Sequence, residues 1–250
     1  MSVTERLLEA IKRDERAVVF TVIEGGPLGA KALALENGRV IGDGVPPAAL
    51  DQASELIRGA RNRLLELDDA SVFAEVYGPP PRLVIIGAVD TADALCQAAK
   101  LLGWETIVVD ARAKFATRER IPNADRLIVE WPEEALAEVQ PDHATAVLVL
   151  THDAKFDMPA LKAALASDAF YVGALGSRRN QERRREKLLE EGIDEAELER
   201  ISGPCGLDLG AESQPETALS ILAEMVALRA GRSGGRLRES KQRIHAEAPD

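Results

Sequence analysis

The residues best placed for chemistry follow the ends of short apolar stretches. In the segment RLVIIGAVDTAD, residues 82–93, four branched apolar residues lead into Gly87. A strand that ends in glycine before a helix matches the start of the dinucleotide loop G-x-G-x-x-G/A, in which the backbone approaches a pyrophosphate. Here position 89 is valine, and Asp90 places a negative charge where phosphate would lie. Gly87, Ala88 and Asp90 are therefore candidate ligand-binding residues, with the alternative that Asp90 caps the next helix.

A second candidate is Asp110, which ends the next apolar stretch 23 residues after Gly87. This spacing matches the acidic residue that hydrogen-bonds a ribose 2′-hydroxyl in dinucleotide-binding domains. An acid here disfavours a 2′-phosphate because like charges repel, whereas Arg112 would favour one. The alternative is that Asp110 is a solvated loop residue.

A third group lies in LTHDAKFD, where Thr151, His152 and Asp153 follow another apolar stretch. A histidine beside an aspartate can transfer protons or bind a metal ion. A metal site needs more ligands than this segment supplies, so we predict no metal site. The alternative is that Thr151 or Asp153 caps a helix predicted to start at residue 157.

The segment GALGSRRNQERRREK predicts an anion-binding helix start. Gly173 and Gly176 would let the backbone approach a ligand. Ser177 is a natural helix cap, and Arg178 and Arg179 in the first turn oppose the helix dipole. That cost is offset if an anion binds to the amides and guanidinium groups.

Two neighbouring segments carry weaker signals. Residues 183–187 are interpreted as a solvated helix face with charge pairs. Asp208 lies in the glycine-containing loop GPCGLDLG, which is a candidate to close the binding crevice. Ser213 and Glu216 have capping-box spacing at the start of the last helix.

The elements that must position these residues change character along the chain. The first part predicts a helix (3–14), a strand (17–23), a hairpin around Asn37-Gly38 (31–42), a helix from Pro46 to about Leu67, and a strand (71–77). The stiff break GPPP, residues 78–81, marks a domain boundary.

Beyond the break, apolar strands alternate with helices, which is typical of a parallel sheet covered on both faces. We therefore predict an α/β fold, a doubly wound Rossmann-like parallel sheet with a smaller N-terminal α+β domain. The predicted domains are 1–78, 79–230, and a disordered tail, 231–250. The strands are predicted at 83–87, 105–110, 126–130, 146–150 and 169–175, and the helices at 91–102, 132–139, 157–167, 178–191, 194–199 and 215–230.

Composition excludes several classes of function. The 250 residues carry a net charge of −11, which argues against binding nucleic acid through a basic surface. Two distant cysteines support neither a disulfide framework nor a cysteine-rich metal site. No stretch has the length of a membrane span or the pattern of a signal peptide, so we expect a cytoplasmic protein. A homodimer is compatible with the sequence.

Taken together, four motifs resemble the XdhC/CoxI family, accessory proteins of xanthine and carbon monoxide dehydrogenases. They are FAEVYGPPPRLVIIGA, LVLTHDAKFD, YVGALGSRRN and GIDEAELERISGPCGLDLGAESQPETALSILAEM. The resemblance covers about residues 73–230 and implies a maturation factor that binds molybdenum cofactor or molybdopterin, including a dinucleotide form. The implied partner is a molybdoenzyme of the xanthine or carbon monoxide dehydrogenase type, and the implied role is that of an accessory protein more than an enzyme.

The chain also departs from the family pattern. The family reads G-A-G-H where this chain has Gly87-Ala88-Val89-Asp90, and its N-terminal cysteine motif is missing here. Two alternatives therefore remain: a ligand-free or regulatory Rossmann homologue, and an NAD(P)-dependent oxidoreductase, which Val89 and Asp90 disfavour.

Overall fold

The computed structural model describes residues 2–241. These residues form two compact units, one that ends at Pro79 and includes the residues from Gly235 onward, and one that spans Pro80–Gly234. The predicted domain bounds, 1–78, 79–230 and 231–250, stay a prediction. Of the predicted tail, residues 242–250 lie outside the described range, and the preceding part contains a 3-10 turn at Leu237–Glu239.

The first unit contains a five-stranded antiparallel sheet in the order β3-β2-β1-β5-β4. Side chains alternate between its faces. Val18, Phe20 and Val22 of β1 contribute to the core that holds the second and third helices, whereas Val19 packs with α1. The elements are α1 (Val3–Lys12), β1 (Ala17–Gly25), β2 (Lys31–Leu35), β3 (Val40–Gly42), α2 (Pro47–Leu50), α3 (Ala53–Gly59), β4 (Arg63–Glu66) and β5 (Ala70–Tyr77).

Two predictions for this unit have different outcomes. The hairpin is confirmed, since β2 pairs with β3 and Gly38 in the turn has a φ of +81°. The helix predicted from Pro46 to about Leu67 is present as α2 and α3 as far as Gly59, and its extension beyond Gly59 is wrong. Ala60 adopts a left-handed conformation that ends α3, and β4 then pairs with β5 and buries Leu65.

The second unit contains a six-stranded parallel sheet in the order β11-β10-β9-β6-β7-β8. This is the strand order of a doubly wound fold, so the predicted fold class is confirmed. Its elements are β6 (Arg82–Ile86), α4 (Asp90–Leu101), β7 (Glu105–Val109), β8 (Arg126–Ile128), α5 (Pro132–Val139), β9 (Thr145–Val149), α6 (Ala154–Leu165), β10 (Tyr171–Ala174), α7 (Arg178–Glu190), α8 (Glu195–Leu198), β11 (Ile201–Ser202) and α9 (Gln214–Arg229).

Helices cover both faces of this sheet. Leu95 of α4 and Ile221 of α9 belong to one apolar core, and Leu136 of α5 and Leu161 of α6 belong to the other. The strand order reverses between β6 and β9. Ligands of open parallel sheets bind outside the carboxyl ends of the strands at such a reversal, so the fold directs attention to this edge.

Candidate functional site

Where the strand order reverses, the ends of the neighbouring strands β6 and β9 lie in close contact. Gly87 has a φ of +114°, and a Cβ atom at this position would lie 2.8 Å from the Cγ2 atom of Thr151. Both residues are buried. Gly87 is therefore required for the approach of the two strand ends as well as for the turn into α4.

Asp110 is buried beside this loop and accepts four hydrogen bonds. Its Oδ2 atom accepts from the Ala88 N–H at 3.0 Å and from Arg112 Nη2 at 2.8 Å. Its Oδ1 atom accepts from the backbone N–H of Arg112 at 3.0 Å and from Arg112 Nε at 2.8 Å. Asp110 is therefore not the solvated loop residue of the alternative interpretation.

These contacts determine the protonation state of Asp110. Burial by itself would raise the pKa of the Asp110 carboxyl, but hydrogen bonds from the Arg112 side chain and from the Ala88 and Arg112 amides outweigh it, so the pKa is lowered. Hydrogen bonds to the charged side chain of Asp110 raise the pKa of Arg112 in turn. The pair is charged at neutral pH.

Arg112 also lies against aromatic rings. Its guanidinium carbon is 4.2 Å from the ring centre of Phe115 and 5.4 Å from that of Phe156. The Lys155 ammonium is 4.7 Å from the ring of Trp131, whose centre is 5.3 Å from that of Phe156. We call this group, completed by Arg120 at 5.1 Å from the Phe115 ring, the cation–aromatic patch: Arg112, Phe115, Arg120, Trp131, Lys155 and Phe156.

The start of α4 differs from the prediction. Val89 is the capping residue and makes no side-chain cap, so the alternative in which Asp90 caps the helix is wrong. Asp90 is instead the first helical residue, 82% of its side chain is exposed, and it lies 3.6 Å from Arg120. The N–H groups of Ala88 and Val89 are bound to Asp110 and to the Gly87 carbonyl.

The end of β9 is held by an ion pair that the sequence did not reveal. Arg184 donates from Nε and Nη2 to Asp157 Oδ2, at 3.0 and 2.5 Å, and from Nη2 to the Thr151 carbonyl at 3.2 Å. The Thr151 hydroxyl donates to the other oxygen of Asp157. Arg184 also donates to the Leu175 carbonyl after β10 at 2.7 Å, so one guanidinium ties together the ends of two strands.

The interpretation of residues 183–187 as a solvated face is therefore wrong for Arg184, whose side chain is only 10% exposed. A weak signal was present in the sequence, because Gln181, Arg184 and Leu188 recur at helical spacing and form the inward face. Asp157, the partner of Arg184, lies 27 residues earlier in the chain.

His152 and Asp153 point outward at the same edge. Both are exposed, and Asp153 caps α6 by accepting the Lys155 N–H at 3.0 Å. The structure thus assigns Asp153 the capping role that was the alternative for this segment. It also moves the start of α6 from residue 157 to Ala154.

The predicted Ser177 cap at the start of α7 is confirmed, and anion binding there stays a prediction. Ser177 caps the helix by accepting the Asn180 N–H, and Gly176 has a φ of +134°. Within residues 2–241, Arg178 and Arg179 are exposed and their side chains make no ion pair or hydrogen bond, and the first turn contains no acidic side chain. Gly173, by contrast, is buried in β10, where a Cβ atom would lie 2.5 Å from the Tyr171 ring. Close packing against Tyr171 therefore explains why residue 173 is glycine.

Arg178 lies on the rim of a cavity of about 360 Å³ beside the edge strand β11. Leu161, Leu188, Leu198 and Ile201 supply its apolar lining, and Arg185 faces it from α7. The structure thus gives two candidate regions, the cation–aromatic patch and this cavity, whose lining is partly apolar and partly charged.

The loop that follows β11 is held in place by Glu224 of α9. The Glu224 carboxylate on α9 accepts from the Gly206 N–H at 2.8 Å and from the Tyr171 hydroxyl at 2.5 Å. Asp208 is exposed at the outer part of this loop. The predicted capping box of Ser213 and Glu216 at the start of α9 is confirmed.

Neither cysteine is placed for thiolate chemistry. Burial raises the pKa of Cys96 to about 12, and burial with the nearby Glu224 charge raises that of Cys205 to about 12. In the described part of the chain, no group of three or more His, Cys, Asp or Glu side chains could hold a metal ion. No helix among these residues is long and apolar enough to cross a membrane.

The fold and this edge define a Rossmann-type domain that lacks the second glycine of the dinucleotide loop. Residues 83–225 match the family model of the XdhC Rossmann domain. The chain therefore belongs to this family, as its motifs indicated.

Three relatives extend the comparison. The chain is 33% identical to the uncharacterized protein YqeB of Escherichia coli K12, over 66% of this chain and 30% of that protein. It is 32% identical to a Bacillus subtilis 168 protein named as a probable xanthine dehydrogenase subunit, over 64% of this chain and 46% of that protein. It is 26% identical to the molybdenum cofactor insertion chaperone PaoD of E. coli K12, over 89% of this chain and 86% of that protein. The chain thus spans less than half the length of the first two.

A solved structure also resembles this fold. The crystal structure of a xanthine dehydrogenase from Bacillus halodurans superposes with a TM-score of 0.67 at 25% identity, over 91% of this chain and 66% of that one.

Proposed function

We propose that this protein binds the molybdenum cofactor and assists its insertion into a molybdoenzyme of the xanthine dehydrogenase type. The observation that carries the proposal is the alignment with PaoD, which is named a molybdenum cofactor insertion chaperone and is matched over most of both chains. The similarity to a protein named as a xanthine dehydrogenase subunit supports the choice of client.

The side chains at the carboxyl edge fit one end of this cofactor. Molybdopterin combines a planar pterin with a phosphate. A protein of net charge −11 nevertheless presents Arg112, Arg178 and Arg179 at this edge, and guanidinium groups recognise phosphate through paired hydrogen bonds. The cofactor supplies the molybdenum redox centre to its client, whereas this chain's residues would bind and orient the pterin and phosphate.

The proposed contact residues are those of the strand ends, in the positions given above. They comprise Gly87, Ala88, Asp90, Asp110, Arg112, Thr151, His152, Asp153, Gly173, Gly176, Ser177, Arg178, Arg179 and Asp208. Within this set, Asp110, Thr151 and Gly173 are buried and would act by shaping the edge. Arg112, His152 and Arg178 have exposed polar atoms and would contact the ligand.

The thiols do not fit a role in sulfur transfer or in ligating molybdenum. Cys96, on α4, is fully buried in the apolar core, and the pKa values of both thiols are raised. Thiolate, the form that attacks or binds metal, is therefore scarce at neutral pH. We propose that any sulfuration of the cofactor depends on a separate protein.

Copurification tests the proposed function. The protein would be coexpressed with a xanthine dehydrogenase-type enzyme and purified without oxygen, and bound pterin would be oxidised and measured by its fluorescence. We expect close to one pterin per chain, and reduced activity of the enzyme when the gene for this protein is deleted. Absence of pterin together with full activity of the enzyme would contradict the proposal.

A further inference from the structure

The structure excludes the ribose-binding role that the sequence suggested for Asp110. A carboxylate offers about four positions for hydrogen-bond donors. Ala88 and Arg112 supply four donors to Asp110, at 2.8–3.0 Å. No acceptor position is left for a ribose hydroxyl, so Asp110 cannot bind ribose without first losing Arg112.

Arg112 is the group that this arrangement offers to a ligand. Two of its five side-chain N–H donors are used by Asp110, and 36% of the side chain is exposed. Because the bonds to Asp110 and the contact with Phe115 hold the guanidinium in place, little conformational entropy is lost when an anion binds. The expectation that an acid at position 110 repels phosphate is reversed, since its charge is paired with Arg112.

The surroundings of Arg112 favour a flat ligand. The chain has nine aromatic side chains, and Phe115, Trp131 and Phe156 are three of them. Phe115 and Trp131 are partly exposed, whereas Phe156 is buried. An exposed aromatic ring and a guanidinium plane both accept stacked heterocycles. Lys155 and Arg120 add positive charge, although the Arg120 guanidinium also lies 3.6 Å from the Asp90 carboxylate.

The neighbouring features exclude other ligand shapes. The amides of Ala88 and Val89 are bound to groups of the protein, so these two amides are not available to a pyrophosphate. The cavity beside Arg178 is lined by aliphatic and charged side chains, including Glu182, and its lining contains no aromatic residue. Only the cation–aromatic patch combines an exposed guanidinium with aromatic surfaces among these candidate regions.

We infer that the cation–aromatic patch binds a planar heterocycle that carries a single phosphate, with the phosphate on Arg112. The inference rests on the proposed function and specifies which part of the edge holds the cofactor. It assigns the phosphate to the loop after β7 and not to the start of α7, where the sequence placed the anion.

Equilibrium binding under nitrogen tests the inference. The probe is molybdopterin released from a xanthine dehydrogenase, compared with the same material after phosphatase treatment. We expect wild-type protein to bind the phosphorylated form at least tenfold more tightly. Arg112→Ala should reduce that preference to less than threefold, whereas the exposed control Arg183→Ala should retain it.

A second variant keeps the test decisive if Arg112→Ala does not fold, as checked by tryptophan fluorescence. Arg120 and Lys155 lie at the exposed rim of the patch, so the double variant Arg120→Gln/Lys155→Gln should weaken binding of the phosphorylated probe at least fivefold. If wild type binds neither probe, the proposed function fails. If wild type binds but Arg178→Ala abolishes the phosphate preference, or neither patch variant changes binding, the assignment to the patch is overturned.

Discussion

At the scale of single residues, two arginines with opposite surroundings organise the carboxyl edge. Arg184 is buried and contacts Asp157 and two strand-end carbonyls, which is a structural arrangement. Arg112 pairs with a buried acid but keeps part of its side chain in solvent. Because of this difference in exposure, Arg184 stabilises the edge, whereas Arg112 can contact a ligand.

Removing Arg184 should destabilise the second unit strongly. Arg184→Ala would leave Asp157 buried and unpaired, and breaking such pairs costs about 3–5 kcal/mol. Urea unfolding followed by tryptophan fluorescence measures this, because both tryptophans, Trp104 and Trp131, lie in this unit. The exposed control Arg183→Ala should change the free energy of unfolding by less than about 0.5 kcal/mol. Equal effects of the two variants would show that the ion pair is not important for stability.

Asp110 should make a pH-dependent contribution to stability. Its folded-state pKa is lowered from 3.8, so the stabilisation is complete above that value and is lost as the pH falls through the folded-state pKa. Asp110→Asn should therefore cost about 1–3 kcal/mol at pH 7, and the gap to wild type should shrink below about pH 4. Unfolding in urea across this pH range measures the gap.

The control for this experiment is Asp90→Asn, because Asp90 is exposed at the same edge. It should show a gap of less than about 0.5 kcal/mol at every pH. A gap for Asp110→Asn that widens as the pH falls would have the wrong sign and would exclude the proposed linkage.

At the scale of elements, the start of each helix determines which side chains reach the edge. The best-defined start is that of α9, where Ser213 accepts the Glu216 N–H and Glu216 accepts the Ser213 N–H at 2.9 Å. Through Glu224, the same helix also holds the loop that carries Asp208.

Removing this cap should therefore weaken α9. Ser213→Ala removes the acceptor for a backbone N–H and should lower the free energy of unfolding by about 0.5–2 kcal/mol. Guanidinium unfolding followed by tryptophan fluorescence measures the change. Gln214→Ala, which alters the next exposed residue and leaves the cap intact, is the control and should be close to neutral. A larger loss for Gln214→Ala than for Ser213→Ala would contradict the role of the cap.

The sequence predicted the long elements of the parallel sheet because their apolar runs and caps are local signals. It missed β11 because a strand of two residues has no period to detect. It predicted a helix through β4 because those residues become a strand only by pairing with β5.

The candidate site shows the same limit. Asp110 and the nearby Arg112 were predicted from the sequence. That Arg112 donates three hydrogen bonds to Asp110 depends on the folded geometry, which the spacing of residues does not reveal. Arg184 was missed because arginine is usually exposed, and its burial depends on Asp157 from another helix.

At the scale of the whole molecule, the chain combines two units with separate apolar cores. The second unit has one core on each face of its parallel sheet, and all the residues of these cores lie within Pro80–Gly234. A unit that contains its own core can fold alone, so we propose that this part is an independent domain.

Expression of residues 80–234 alone tests this proposal. The fragment should give one cooperative unfolding transition in urea, because its cores and its parallel sheet are complete without residues 1–79. Both tryptophans are retained, so the fluorescence of fragment and full chain can be compared directly. The matched control is the same fragment with Arg184→Ala, which should lose the same free energy of unfolding as the full chain does, since the ion pair lies wholly within the fragment. A fragment that unfolds without cooperativity, or in which Arg184→Ala has no effect, would show that the parallel sheet depends on the rest of the chain.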